Sequence, residues 1–370
     1  MNMNKDLHLL LDYENFNWEK LTDTFDFIKR MKVCPQDPIH HAEGNVWIHT
    51  EMVVKELLIL FEENKHLTHW DKECLFAAAI LHDVCKPDCT VIEKDGSITS
   101  KGHAKKGEYF VRNILFDLNF TQRERICKYV KYHGLPLWAL EKEDPNRSVI
   151  ESSVTSNNWY ISILSEADAK GRKCNDLSDL LYRIELFREL CCDLHCYFQT
   201  KIFTSDHSRI KYFRDGGWPD TEHFNDTKFK VYLMVGLPGS GKDTWIKENL
   251  NISNIVSLDN IRTELKIKPT KEQGLVIQTA KERAKEFMRR KEDFVWNATN
   301  ITKQSRKQLI DLFISYGGEI TIVYLHKTLD TILSQNKKRD AIVFEKIIER
   351  MKSKLEVPDL TECHKLITIV

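Results

Sequence analysis

The run Gly236-Leu237-Pro238-Gly239-Ser240-Gly241-Lys242 has few settings open to it in a folded chain, because its glycines and proline break both helices and strands. An apolar segment, Lys230 to Val235, leads into it, and a helical pattern at Thr244 to Glu248 follows. A strand, a glycine-rich turn and a helix in that order let backbone N–H groups converge on phosphates. The helix start adds its partial positive charge, and Lys242 can reach the β/γ oxygens. Gly236, Gly239, Ser240, Gly241, Lys242, Asp243 and Thr244 are therefore the expected nucleotide-binding residues. Asp243 stands where Ser or Thr usually presents a hydroxyl to Mg²⁺. Its carboxylate, or the hydroxyl of Thr244, keeps an oxygen ligand suited to that ion.

The surrounding pattern alternates. Strands are expected at Lys230 to Val235, Asn254 to Ser257, Phe294 to Asn297 and Glu319 to Leu325. Helices are expected at Thr244 to Glu248, from Asn260, at Leu275 to Lys291 and at Lys303 to Tyr316. Such alternation predicts an α/β domain with a parallel sheet covered on both faces. The first half carries apolar residues at helical spacing instead, at Ile48 to Glu62, Leu75 to Asp83, Lys106 to Asn119, Arg123 to Tyr132, Trp159 to Asp168 and Leu177 to Lys201. It is expected to be all-α. Gly216, Gly217 and Pro219 mark a change of composition between the halves. The expected division is a domain over residues 1–215, a linker over 216–227 and a second domain over 228–370.

Charge separates the two ends weakly. From Asp226 onward there are 26 Lys+Arg against 19 Asp+Glu, and the remainder holds 29 against 36. A mildly basic C-terminal domain is compatible with a polyanionic partner. No apolar run reaches the roughly 18 residues of a membrane span, so no membrane association is expected. The N-terminus carries acids where a signal peptide needs a basic region, and the ten cysteines lack a disulfide-framework spacing. Cytoplasmic location with reduced thiols is the expectation.

Beyond the glycine-rich loop, Asp259 lies just past the second strand, with Arg262 three residues on along the same helix face. Asn297-Ala298-Thr299-Asn300 follows the third strand and offers polar groups at the same sheet edge. Lys337, Lys338 and Arg339 come late, before a helix in which Val343, Phe344, Ile347 and Ile348 are expected to be buried, forming a lid. These elements in this order resemble the kinase domain of phage-type polynucleotide kinase, over about Lys230 to Glu362. The resemblance implies that Asp259 is the general base, that Arg262 contacts the acceptor's 3′ phosphate, that Arg339 contacts the donor phosphates, and that ATP or another NTP with Mg²⁺ phosphorylates a 5′-hydroxyl of RNA or DNA.

The N-terminal half contains a second constellation. His82-Asp83 ends an apolar helix, with His49, His103, His133 and Asp168 in order around it. Imidazole and carboxylate together suit a divalent transition metal better than calcium. This order resembles the HD phosphohydrolase superfamily, especially the HD domains attached to tRNA nucleotidyltransferases, over about Trp47 to Arg172. By that resemblance His49, His82, Asp83 and Asp168 hold one ion, His103 and His133 are candidates for a second, and Lys86 meets substrate phosphate. His40 and His41 fit no motif position and are expected at the surface.

The fusion as a whole resembles a family of bacterial bifunctional RNA end-healing enzymes, whose products a separate ligase joins. The implied activities are 5′-hydroxyl phosphorylation and removal of a 2′,3′-cyclic, 2′- or 3′-phosphate. Two rival readings are an HD nucleotidase fused to a nucleoside or metabolite kinase, and a nucleotide-sensing regulatory module without catalysis.

Overall fold

Two compact units divide the chain, Met1–Ile202 and Phe203–Val370. The computed structural model describes residues 6–268, 273–339 and 341–370.

The first unit is helical. Helix Val46–Glu63 begins at Asn45, whose side chain accepts the Ile48 N–H, and buries Val53, Val54, Leu57, Leu60 and Phe61 on one side. Helix His69–Leu81 starts from a reciprocal cap in which Thr68 and Asp71 satisfy each other's backbone N–H groups, and its stretch from Cys74 to Leu81 is wholly buried. Helices His103–Ile114, Phe120–Tyr132 and Asn158–Lys170 complete the part of the bundle that concerns the site. Two close approaches set its geometry. A Cβ at Gly107 would lie 2.9 Å from Val130 Cγ1, and one at Gly171 would lie 2.8 Å from the Val53 nitrogen. Only hydrogen at these positions lets the helices meet so closely. The otherwise helical unit also contains a short hairpin that pairs Val91–Ile92 with Ile98–Thr99. The helix expected to run to Lys201 ends at Asp193, where His195 takes a positive φ of 53° and the Cys196 N–H turns back to the Cys191 carbonyl.

The second unit is built on a five-stranded parallel sheet. Its order is Ile255–Ser257, Phe294–Asn297, Phe229–Val235, Gly318–Leu325 and Lys365–Ile369. The last strand escaped the sequence reading because it is an edge with an exposed, mixed pattern. Met234, Val295, Val323, Leu325 and Ile246 form the core beneath one face. On the other, Phe313 packs edge-on against Phe294 at 5.3 Å and beside Trp296. The unit begins earlier than the expected boundary at residue 215. Helix Asp206–Asp215 belongs to it because buried Arg209 donates to the Leu360, Cys363 and His364 carbonyls.

A buried ion pair locks this unit. Arg306 has no exposed surface, and its Nε and Nη2 meet the two Glu362 oxygens at 2.8 and 2.9 Å. Nη1 donates to the Asn300 and Glu356 carbonyls at 3.0 and 2.8 Å. Burial outweighs the arginine's pull and holds the Glu362 carboxyl above its ordinary range. Truncating Arg306 leaves the buried acid without its cation, with the Asp359 N–H at 3.4 Å as a remaining donor. Arg306→Met is expected to destabilise this unit by about 3–5 kcal/mol, with Glu362→Leu added to it restoring part of the loss. Hydrogen–deuterium exchange of strands Phe294–Asn297 and Gly318–Leu325 in urea measures both, and an unchanged midpoint for the single variant contradicts the assignment.

Candidate functional site

In the helical unit the ends of five helices deliver side chains to one point. His49 comes from Val46–Glu63, His82 and Asp83 from the end of His69–Leu81, and His103 opens the next helix. His133 closes Phe120–Tyr132, and Asp168 comes from Asn158–Lys170. Asp83 stands at the centre with 1% of its surface exposed. Its Oδ2 lies 2.7 Å from Lys86 Nζ, 3.2 Å from His82 Nε2 and 3.9 Å from His49 Nε2. Its Oδ1 lies 3.2 Å from His103 Nε2 and 3.9 Å from His133 Nε2. Asp168 reaches this assembly through His49 Nε2 at 3.0 Å, and Arg172 grips its other oxygen at 2.9 Å.

The imidazole tautomers follow from their backbone partners. Nδ1 of His82, His103 and His133 lies 2.7, 2.7 and 2.8 Å from the carbonyls of Ala79, Ser100 and Val130. A carbonyl can only accept, so each neutral ring carries its proton on Nδ1 and presents the Nε2 lone pair inward. Buried lone pairs facing one another are unfavourable without a cation among them. Consistent with that, His82 Nε2 and both Asp83 oxygens lack a well-formed hydrogen bond, and Asp83 has the Lys86 ammonium beside it as an ion-pair partner. Burial alone would raise the Asp83 pKa, but His82, Lys86 and His103 hold the carboxyl well below its ordinary range. Burial and the neighbouring His82 and His103 push His133 down to about 3. The donor set fits divalent metal. His49, His82 and Asp83 form one group with all ligand atoms within 4.8 Å, and Asp83, His103 and His133 form another. Asp83 belongs to both, one oxygen to each side.

The sequence reading missed three residues here. His41, expected at the surface, is 9% exposed, and its Nδ1 meets Glu43 Oε1 at 2.8 Å; burial pushes it down to about 4. Glu43 also lies 3.0 Å from His49 Nδ1. Its burial favours the neutral acid, yet bonds from His41, His49 and the Lys173 N–H hold it ionised. Arg172 was legible in principle, four residues after Asp168 on one helix face. His41 and Glu43 precede helix Val46–Glu63 and share no periodicity with it.

In the sheet unit the glycine-rich loop leaves the central strand at its carboxyl end. Gly236 adopts φ 154°, and a Cβ there would lie 2.6 Å from Ser240 Oγ and 2.8 Å from the Leu325 carbonyl. Gly239 has φ 83°, and its Cβ would meet the Ile332 carbonyl at 2.6 Å, so helix Leu329–Lys337 rests directly on the loop. Lys242 Nζ donates to the Gly236 and Leu237 carbonyls at 3.0 Å each. Asp243 accepts from Asn297 Nδ2 at 2.6 Å, whereas Thr244 is exposed with no such tie to a neighbouring strand. Asn300 serves the scaffold: its amide donates to the Met234 carbonyl at 2.7 Å.

Asp259, Arg262 and Arg339 come together. Arg262 Nη1 is 2.5 Å from one Asp259 oxygen, and Arg339 Nη2 is 3.1 Å from the other. The two arginines therefore flank a carboxylate at the sheet edge that carries the loop. Of the four apolar residues expected to be buried in the lid helix, only Ile348 is; Phe344 is 79% exposed.

Residues 46–167 match the family model of the HD domain, and residues 231–358 match a family model described as an AAA domain. The chain contains an HD domain and a P-loop kinase-like AAA domain. The first match begins just before His49 and ends just before Asp168, leaving His41 and Glu43 outside it. HD domains depend on metal, which accords with the His/Asp cluster. No helix among the described residues is long and apolar enough to cross a membrane.

Burial holds the Lys242 ammonium down to about 8; Asp243 and Asp259 oppose the shift and Arg339 adds to it. A triphosphate binds the charged form, so Lys242 is fully competent below that pH and loses its charge as pH rises through it. Nucleotide affinity is expected to fall above about pH 8, with proton uptake on binding. Isothermal titration of ATP in buffers of different ionisation enthalpy reads this directly; absence of uptake at about pH 8.5 contradicts it.

Proposed function

We propose that the chain heals broken RNA ends, with the AAA domain phosphorylating a 5′-hydroxyl and the HD domain removing a 2′,3′-cyclic, 2′- or 3′-phosphate. The observation that carries the kinase reading is Asp259 held between Arg262 and Arg339 beside the phosphate loop. Asp259 takes the proton of the acceptor hydroxyl, whose oxygen bonds to the γ-phosphorus as the bond to the bridging β–γ oxygen breaks. The nucleoside diphosphate leaves. Arg339 and Lys242 stabilise negative charge on the transferred group, and Arg262 holds a phosphate of the acceptor strand. A nucleoside has no such phosphate, which favours a polynucleotide acceptor.

In the HD domain, His49, His82, Asp83 and Asp168 would hold one divalent ion and His103 and His133, with Asp83, a second. Metal bound there supplies Lewis acidity and a water of lowered pKa. Lys86 neutralises the substrate phosphate; its Nζ is fixed by Gln36 Oε1 and Asp83 Oδ2, both at 2.7 Å. The two activities act on complementary ends, leaving a 5′-phosphate and a 3′-hydroxyl for a separate ligase.

Incubating the full chain with ATP, divalent metal and an RNA bearing a 5′-hydroxyl and a 2′,3′-cyclic phosphate is expected to convert both ends. Lys242→Ala and Asp259→Ala should each lower 5′ labelling by about 100-fold or more and spare phosphate release. His82→Ala and Asp83→Ala should do the reverse. Labelling of free nucleosides alone would sink the polynucleotide reading, and phosphate release surviving both HD substitutions would move that activity elsewhere.

A further inference from the structure

Glu43 is an acid with no exposed side-chain surface, outside the part of the chain that matches the HD family. Three groups converge on it. Oε1 lies 2.8 Å from His41 Nδ1 and 3.0 Å from His49 Nδ1, and Oε2 accepts the Lys173 N–H at 2.9 Å. A second backbone bond, from the Ala42 N–H to the Lys173 carbonyl at 2.9 Å, fastens the same short segment to the turn after the Asp168 helix. That turn also presents the Gly171 carbonyl 3.3 Å from His49 Nδ1.

We infer that Glu43 is a positioning residue for the metal centre: it fixes the ring and tautomer of His49 and ties that ring to the segment bearing Asp168. The inference rests on the HD domain's holding metal through His49. Every group facing His49 Nδ1, the carboxylate and the carbonyl alike, is an acceptor, so Nδ1 keeps its proton; Nε2 faces Asp168 Oδ1 at 3.0 Å, and a metal held there takes the place of a proton on that nitrogen. Nε2 is the nitrogen that points at Asp168, Asp83 and His82. A carboxylate behind a ligating imidazole restricts its rotation and raises the basicity of the ligating nitrogen. The other three histidines of the centre have a neutral carbonyl in that place. His49 alone among them is backed by a charge.

His41, Glu43 and His49 also have ligand atoms near enough to one another to hold an ion of their own. Satisfaction of the atoms argues against it. Glu43 Oε1 is engaged by two imidazoles and Oε2 by a backbone N–H, whereas on the other side of His49 the atoms without a hydrogen bond are His82 Nε2 and the oxygens of Asp83, whose Oδ2 has the Lys86 ammonium as an ion-pair partner. The polar demand for a cation sits on the Nε2 side of His49, and the Nδ1 side is already a closed hydrogen-bonded set.

The test is Mn²⁺ and Zn²⁺ affinity of the full chain, measured by competition with a chromophoric chelator, for the parent, Glu43→Ala and Glu43→Gln. Glu43→Ala is expected to weaken metal binding by about 10–100-fold. Glu43→Gln, which keeps an oxygen that accepts from Nδ1, should fall between it and the parent. The helical circular dichroism and thermal unfolding midpoint of each variant should stay near the parent's, showing that the helical unit is folded. Equal affinity in Glu43→Ala and the parent overturns the role of Glu43 and leaves the HD metal centre standing. Loss of one whole equivalent of metal, with the rest bound at parental affinity, also overturns it, because Glu43 is then a ligand. A parent that binds neither ion overturns the metal centre itself.

Discussion

Withdrawal of the Asp83 carboxylate from water is the constraint around which the helical unit is arranged. A carboxylate at 1% exposure stays ionised only if cationic or metal partners replace its hydration. The chain meets the demand from several directions, because no one helix can place enough partners around a single point. Lys86 arrives from the turn that follows Asp83 itself, and His49, His103 and His133 arrive from three other helices. The packing needed for that convergence appears in the two glycines. Gly171 lets the Asp168 helix end press on the backbone of Val53, one turn after His49, and Gly107 lets the His103 helix press on Val130, three residues before His133. Apolar burial holds the bundle together, while these contacts determine which histidine faces which oxygen.

Helix ends contribute a second device. The last carbonyls of an α-helix have no partner within it. His82 and His133 each stand at the C-terminal edge of a helix and direct Nδ1 to the carbonyl three residues back. One contact thus satisfies a stray carbonyl and selects the tautomer that leaves Nε2 free to ligate. At the helix starts the partner comes from outside the helix: the Ser100 carbonyl for His103, and for His49 the Glu43 carboxylate together with the Gly171 carbonyl.

What was legible in the sequence was whatever depends on local order. Glycines with positive φ announce the phosphate loop, a period of 3.6 announces the helices that carry His49 and His82, and alternation of strand and helix announces the parallel sheet. Contacts between distant segments were not legible. Nothing near Arg306 points to Glu362, and nothing near Asp206–Asp215 says that Arg209 will reach carbonyls at Leu360 and beyond. The boundary at residue 215 failed for that reason: a composition change marks a loop, and a unit is defined by what its helices bury against. Phe344 failed in the opposite sense. Its place in an apolar pattern suggested burial, but it precedes the first turn of helix Glu345–Lys352, which buries Ile348 alone.

The departure at Asp243 also becomes intelligible from the sheet. A P-loop NTPase ordinarily presents a hydroxyl from the loop and a carboxylate from the end of a strand to its magnesium. Here the carboxylate is in the loop, and the neighbouring strand Phe294–Asn297, paired in parallel with the central one, ends in a neutral amide. Asn297 donates one N–H to Asp243 at 2.6 Å, which orients the carboxylate and leaves its second oxygen available. An acid at both positions would set two like charges within hydrogen-bonding distance and raise the pKa of one of them. The exchange keeps a single negative charge and an oxygen-rich edge beside Lys242. The carboxylate after the loop and the amide on the adjacent strand, 54 residues apart in sequence, are thus one hydrogen-bonded pair.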